Sequence, residues 1–192
     1  MARMKRTLGP SEKLYPMPVP LIVGSSDGAV DVLAAAWIGT VCGAPPTIAV
    51  GLRNVRRTLE LIEASGELTI NIPTTAMAAV VDYCGTVSGR TTDKFAATGL
   101  TLMPGETVGT PIIEQCPYNL ECRVSSAMDL GEYRLLLVEV VGTRADEAVL
   151  TSDGKLVDVG KLDPLVYIPG TREYRGLGPK LADAYSIGRT VG

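Results

Sequence analysis

Residues 31–58 read DVLAAAWIGTVCGAPPTIAVGLRNVRRT. The GAPPT turn at 43–47 separates two apolar runs, and Ile48–Leu52 has the composition of a strand. Just upstream, LIVGSSDGAVDVLAAAW sets a Ser-Ser-Asp-Gly turn between two further apolar runs, which is a hairpin signal. Downstream the pattern shifts to helical period. Leu59, Leu61 and Ile62 offer an apolar side and Gly66 a stop, so a helix is predicted over Val55–Ala64.

Working outward, residues 1–20 are polar and then Pro-rich, an extended lead-in. Glu67–Ile72 reads as a strand closed by Pro73, and Thr75–Cys84 as a short helix with Thr75 as N-cap. The loop GTVSGRTTDKF leads to one helical turn at Asp93–Thr98. Tyr118–Ala127 and Arg134–Ala145 form a long hairpin, and Leu165–Ile168 is a last short strand. Strands outnumber the short helices, without regular βαβα alternation. The prediction is a mainly β, antiparallel barrel with peripheral helices. Its expected limits are a lead-in at 1–17, a barrel domain at 18–170 and a tail at 171–192.

At 192 residues the chain suits one compact domain, or one domain with a tail, and its 46% hydrophobic and 20% charged content is that of a soluble globular protein. A net charge of −3 without a long Lys/Arg block argues against nucleic acid as a partner. No run reaches the roughly 18–20 apolar residues of a membrane span. The basic N-terminus has no apolar stretch behind it, so a cytoplasmic location is expected. The chain contains no histidine, which excludes Ser-His-Asp and Cys-His catalysis and every His-containing metal site. Cys42, Cys84, Cys116 and Cys122 lack CxxC spacing and read as buried small hydrophobes, with no metal site. Any redox chemistry must then be carried by a cofactor.

Arg53, Arg56 and Arg57 crowd the start of the predicted helix, with Asn54 as its expected cap. Cations are disfavoured at that end of a helix by ~0.3–1 kcal/mol each. A phosphate bound by helix N–H groups, the Thr58 hydroxyl and one or two guanidinium forks would resolve the conflict. The alternative is three solvated arginines paired with Glu60 or Glu63. Trp37, the only tryptophan, follows Ala34–Ala36 and precedes Gly39, which leaves backbone amides approachable for a flat ring. Strand alternation would put Asp31, Leu33, Ala35 and Trp37 on one side; the alternative is a core tryptophan. Ser88–Lys94 is either a donor-rich loop closing on a ligand or a polar surface loop. Taken together, a ring wall, an anion site and a donor loop are what flavin mononucleotide (FMN) requires.

The segments DVLAAAWIGTVCGAPPTIAVGLRNVRRT and DYCGTVSGRTTDKF resemble the flavin reductase-like, FMN-binding split-barrel family, and within it the flavoredoxin branch. The resemblance spans roughly residues 18–175. It implies a homodimer of split barrels with one FMN per subunit near the interface, reduced by NAD(P)H or by a redox protein. By position, Ala35, Ala36, Trp37, Ile38, Gly39, Thr40 and Val41 would line the ring. Thr58, with Arg57 and Asn54, would hold the phosphate, and Ser88, Gly89 and Lys94 would approach from the later loop. Asp31 falls where relatives often carry Asn, and an acid beside a flavin would hold back the anionic reduced form. Tyr133 stands where relatives often carry His. It could cover the ring or donate its hydroxyl, but it cannot shuttle protons near neutral pH. Tyr167 and Tyr174 are candidates for capping the site or for packing the tail. The implied function is an FMN-dependent oxidoreductase passing electrons through the flavin to an acceptor, with no side chain serving as acid or base. A non-enzymatic FMN electron carrier and a barrel without cofactor are the alternatives.

Overall fold

A computed structural model, described here over residues 4–191, shows how this chain folds. Its first hairpin follows from Asp27-Gly28. Both residues have positive φ (51° and 78°), the geometry of a type I′ turn, and they join β2 (Leu21–Ser26) to β3 (Ala29–Ala34). Next come β4 (Ile38–Gly43), β5 (Pro46–Arg53), α1 (Arg57–Ser65) and β6 (Glu67–Ile72). The long hairpin is β9 (Tyr118–Asp129) and β10 (Tyr133–Ala145), whose register shifts at two places. Such bulges bend a sheet and increase its twist.

These seven strands form one antiparallel sheet in the order β3-β2-β6-β9-β10-β5-β4. Its two edge strands, β3 and β4, are consecutive in the chain and joined only by Ala35-Ala36-Trp37. Three residues cannot span a flat seven-stranded sheet, so the sheet curls until its edges meet at this bridge. The result is a split barrel. The bridge is pinned at both ends: the Ala35 N–H donates to the Pro20 carbonyl (3.1 Å) and the Gly51 N–H to the Trp37 carbonyl (2.8 Å).

The continuous apolar run in β2 serves two cores. Ile22 and Leu33 point into the barrel with Val50, Ile62, Leu68 and Leu136. Leu21, Val23 and Val32 point outward under α2 (Ala78–Thr86) with Val81, Cys84 and Ile113. Alternation therefore assigns residues to one core or the other rather than to core or solvent. Helix α1 lies across β2, where Gly24 makes room for it. A Cβ there would fall 2.7 Å from the Thr58 carbonyl oxygen and 2.8 Å from Ile62 Cγ1. Gly24→Ala is expected to destabilise the fold by ~1–3 kcal/mol through overpacking, read as a lower thermal midpoint. An unchanged midpoint would show that α1 can shift freely.

Further elements complete the shell: α3 (Lys94–Thr98), β7 (Leu102–Met103), β8 (Ile112–Ile113) and the short α4 (Val159–Leu162). A small sheet, β1-β11-β12, pairs Met17–Pro18 with Val166–Ile168 and then Glu173–Arg175. No helix among the described residues is long and apolar enough to cross a membrane.

Element boundaries differ from the sequence expectation where local bonds intervene. The Arg56 N–H turns back to the Arg53 carbonyl (3.0 Å), so α1 starts at Arg57 rather than Val55. It stops as predicted, with Gly66 left-handed and its N–H on the Ile62 carbonyl (2.8 Å). The helix expected from Thr75 begins as a separate 3-10 turn over Thr75–Met77. The strand carrying Asp31 ends at Ala34, so its alternation does not run on to Trp37.

Candidate functional site

Beside the split lies a cleft of about 690 Å³. One wall is the end of β3 with the bridge, Leu33 to Trp37; another is the end of β5, with Gly51, Leu52 and Arg53, continued by Arg56. The C-terminal turns of α2 contribute Asp82, Gly85 and Thr86. The small sheet contributes Tyr167, Tyr174 and Arg172.

Trp37 is only partly covered (39% exposed), so it is a wall rather than a core residue. Tyr133 lies against it, with ring centroids 4.3 Å apart and planes tilted by 53°. Burial holds the Tyr133 hydroxyl above its ordinary pKa, with the Arg53 charge opposing and Glu132 adding to the rise. Tyr133 is therefore a proton-bearing donor near neutral pH. On the other side Tyr167 and Tyr174 form a second aromatic pair, with centroids 5.6 Å apart. The Tyr174 hydroxyl donates to Asp82 Oδ1 (3.1 Å), which ties β12 to α2. Burial first, then the Asp82 charge, raise the pKa of that hydroxyl. Both tyrosines line the cleft of their own chain.

The cationic end differs from the sequence expectation. Arg53 and Arg56 reach the cleft; Arg57 does not. Arg57 pairs with Glu60 at 2.9 Å, and Arg90 pairs with the same carboxylate. Arg90 first, then Arg57, hold the Glu60 carboxyl below its ordinary pKa. Glu63 is engaged by Arg134 at 3.0 Å. Arg53 meets only an exposed Glu132 at 3.8 Å, and Arg56 makes no ion pair or side-chain hydrogen bond to any described residue. Asn54, expected as helix cap and phosphate ligand, instead donates from Nδ2 to the Gly131 carbonyl (2.6 Å) and fastens β5 to the β9–β10 turn.

Thr58 and Lys94, expected beside the phosphate and on the later loop, are both placed in the interior. Thr58 is fully buried, and its hydroxyl donates to Asp31 Oδ2 at 2.5 Å. Lys94 is 3% exposed; its ammonium lies 3.4 Å from Asp31 Oδ1 and donates to the carbonyls of Val32 and Cys84. Gly89 sits so tightly on the Asp31 carboxylate that any Cβ would overlap it. The Ser88 hydroxyl accepts from the Arg90 N–H. The loop from Ser88 to Lys94 thus closes over Asp31, not over the cleft. The physical cause is Asp31 itself, which is 5% exposed. A buried carboxylate requires donors and a counter-charge, and these residues supply them. Asp31 is thus paired with Lys94 and does not line the cleft.

Of the predicted ring wall, Ala35, Ala36 and Trp37 line the cleft. Ile38, Gly39, Thr40 and Val41 continue along β4 into an adjoining apolar depression with Leu130 and Leu135, which shares Trp37 and Tyr133 with the cleft. Cys42 is exposed rather than buried. The other three cysteines are buried as expected. Burial raises the thiol of Cys84 to about 11 and those of Cys116 and Cys122 to about 12, so all three stay protonated. Among the described residues no group of His, Cys, Asp and Glu could hold a metal ion. Leu52, Asp82, Gly85, Thr86 and Arg172 escaped the sequence reading. They come from separate elements, and their spacing carries no common signal.

The split barrel thus carries a cleft that joins an aromatic wall to Arg53, Arg56 and Arg172. The flavin reductase like domain matches residues 12–178, and the chain belongs to that family. The fold is similar to that of flavoredoxin from Desulfovibrio vulgaris (Miyazaki F), 38% identical, with a TM-score of 0.91 over 96% of this chain and all of that one. Flavoredoxin from Methanosarcina acetivorans is 30% identical, also with a TM-score of 0.91, over 99% of this chain and all of that one. Among curated relatives, the FMN reductase (NADH) RutF of Agrobacterium fabrum is 29% identical over 61% of this chain and 67% of its own.

The cleft suits FMN on its own terms. Its volume lies within the ~300–1,000 Å³ of small-ligand sites. Small residues leave the backbone approachable, two aromatic pairs flank the space, and Arg56 offers donors without a partner among the described residues.

Proposed function

We propose that this protein is an FMN-dependent oxidoreductase of the flavin reductase and flavoredoxin kind, taking electrons from NAD(P)H or a redox protein and passing them to an acceptor. The observation that carries this reading is one cleft joining the Ala34–Trp37 wall to Arg53 and Arg56. The alanine bridge and Trp37 would take the ring, and the two guanidiniums the phosphate. FMN would supply the hydride acceptance and electron release that no side chain here can provide. The chain's own part is to orient the ring, shield it with Trp37 and Tyr133, and offer the Tyr133 hydroxyl as a neutral donor. Val41, Met128 and Leu130 are exposed, and Val41 and Leu130 lie on the depression beside the cleft, which supports a homodimer through that face. Free cysteines support a reducing, cytoplasmic setting.

The purified protein should be yellow, or turn yellow with added FMN, and should bleach under anaerobic NADH or NADPH. Failure to take up FMN would overturn the proposal. A bound flavin that neither nucleotide bleaches would favour an electron carrier reduced by another protein.

A further inference from the structure

We propose that Arg172, with Lys13, forms a second anion subsite in the cleft, one that takes the phosphomonoester of a purine nucleotide and so selects NADPH over NADH as the nicotinamide donor. The inference rests on the reading that FMN occupies the cleft with its phosphate on Arg53 and Arg56. Those two arginines reach the cleft from the end of β5 and the residue before α1. Arg172 reaches it from another wall, the turn between β11 and β12, and Lys13 from the lead-in. Neither side chain forms an ion pair or hydrogen bond with any described residue. A phosphomonoester carries close to two negative charges at neutral pH. Arg53 and Arg56 match the FMN phosphate and leave this other pair of cations unused. The carboxylates of the cleft do not answer them: Glu12 acts on Tyr133, and Asp82 accepts from the Tyr174 hydroxyl (3.1 Å).

The backbone of Arg172 points the same way. Its φ is 58°, in the left-handed region that glycine and asparagine enter readily and arginine rarely does. Among the described non-glycine residues with positive φ, Arg172 alone lines the cleft. The turn Pro169-Gly170-Thr171-Arg172 thus carries a long cation at a position where turn chemistry favours glycine. Strain of this kind concentrates at ligand sites. The lead-in is fixed to the same turn, because any Cβ on Gly170 would overlap the Tyr15 hydroxyl. Lys13, two residues before Tyr15, is thereby kept near the turn that carries Arg172. Tyr167 and Tyr174 line the cleft beside it, with ring centroids 5.6 Å apart, and supply aromatic surface for a flat base. Aromatic surface next to a guanidinium fork and an ammonium is the chemistry that recognises a phosphorylated adenosine. NADH and NADPH differ only in the 2′-phosphate of that adenosine, so a subsite of this kind separates them.

The test uses the FMN-loaded protein and two probes, adenosine 2′,5′-bisphosphate and adenosine 5′-monophosphate, with dissociation constants read by calorimetry. The wild type should bind the bisphosphate about tenfold more tightly, the value of one charge-assisted contact at an exposed site. That advantage should shrink to about threefold in Arg172→Gly and vanish when Lys13→Ala is added. The KM ratio of NADH to NADPH should fall in parallel. Glycine suits the turn, so the thermal midpoint of Arg172→Gly should not fall, which separates lost recognition from lost structure. Should that variant be unstable, Arg172→Asn, which also tolerates positive φ, carries the test. A wild type that binds the two nucleotides equally, or fails to bind the bisphosphate, overturns the inference. So does a folded Arg172 variant that keeps the full advantage. Loss of FMN with riboflavin retained in Arg172→Gly would assign this guanidinium to the flavin phosphate, and overturns the inference as well. A protein that takes up no FMN fails before any nucleotide is added, so failure of the functional reading shows separately.

Discussion

Arg53→Ala combined with Arg56→Ala is expected to weaken FMN about 100-fold while leaving riboflavin within about threefold. Each charge-assisted hydrogen bond contributes ~1.5–3 kcal/mol, and partial exposure places both arginines at the low end of that range. Two such bonds give roughly 3 kcal/mol, or about two orders of magnitude. Quenching of the single tryptophan, which stands in the cleft, provides the titration signal. Arg57→Ala is the control. Its guanidinium is already engaged by Glu60, so FMN binding should change less than threefold. If the double variant keeps FMN affinity, the phosphate lies elsewhere. Equal loss of both flavins would point to a deformed cleft instead.

Glu121→Ala is expected to cost about 3 kcal/mol or more of stability, a large part of what a domain of this size has. Glu121 is 1% exposed, and its Oε2 accepts from the backbone N–H groups of Glu106 (2.9 Å), Thr107 (2.7 Å) and Val108 (3.1 Å), and from the Thr107 hydroxyl (2.9 Å). Removing it strands three backbone donors at once, each at ~1–3 kcal/mol before water refills the space. Little slack exists around them: a Cβ on Gly105 would meet the Val108 carbonyl oxygen at 2.5 Å, and one on Gly142 the Thr107 hydroxyl at 2.6 Å. Burial raises the Glu121 pKa, but those hydrogen bonds lower it further, and the net shift is downward. A carboxyl with a folded pKa below its unfolded value stabilises fully above that unfolded value, near 4.3. The contribution is lost as pH falls through the lower, folded value. Urea melts at neutral pH and at acid pH well below ~4 should show this loss in the wild type and a flatter response in Glu121→Gln. A Glu121→Ala midpoint equal to wild type at neutral pH would refute the anchoring role.

What the sequence made legible was local. Asp27-Gly28 announces its hairpin, Gly66 its helix stop, and the small residues around Trp37 a wall that faces the cleft. What it concealed depends on distant pairing. Nothing near Thr58 shows that a carboxylate 27 residues earlier claims its hydroxyl, nor that Lys94 turns inward to meet the same group. Arg53 and Arg56 line the cleft, whereas Arg57 is engaged by Glu60, a pairing that the helix pattern alone does not single out. The Asn54 side chain is drawn instead to a turn 77 residues away. Alternation extended to Trp37 fails because the strand ends at Ala34, and only the strand order shows why.

The three-residue bridge has a consequence for how binding and folding are linked. The Ala35–Trp37 wall of the cleft is the seam of the barrel, because it is the covalent link between its two edges. Parting the edges dismantles the wall, and a ligand that grips the wall holds the edges together. Affinity for such a ligand and closure of the barrel are then one equilibrium observed from two sides, and each increment of binding free energy reappears as resistance to opening.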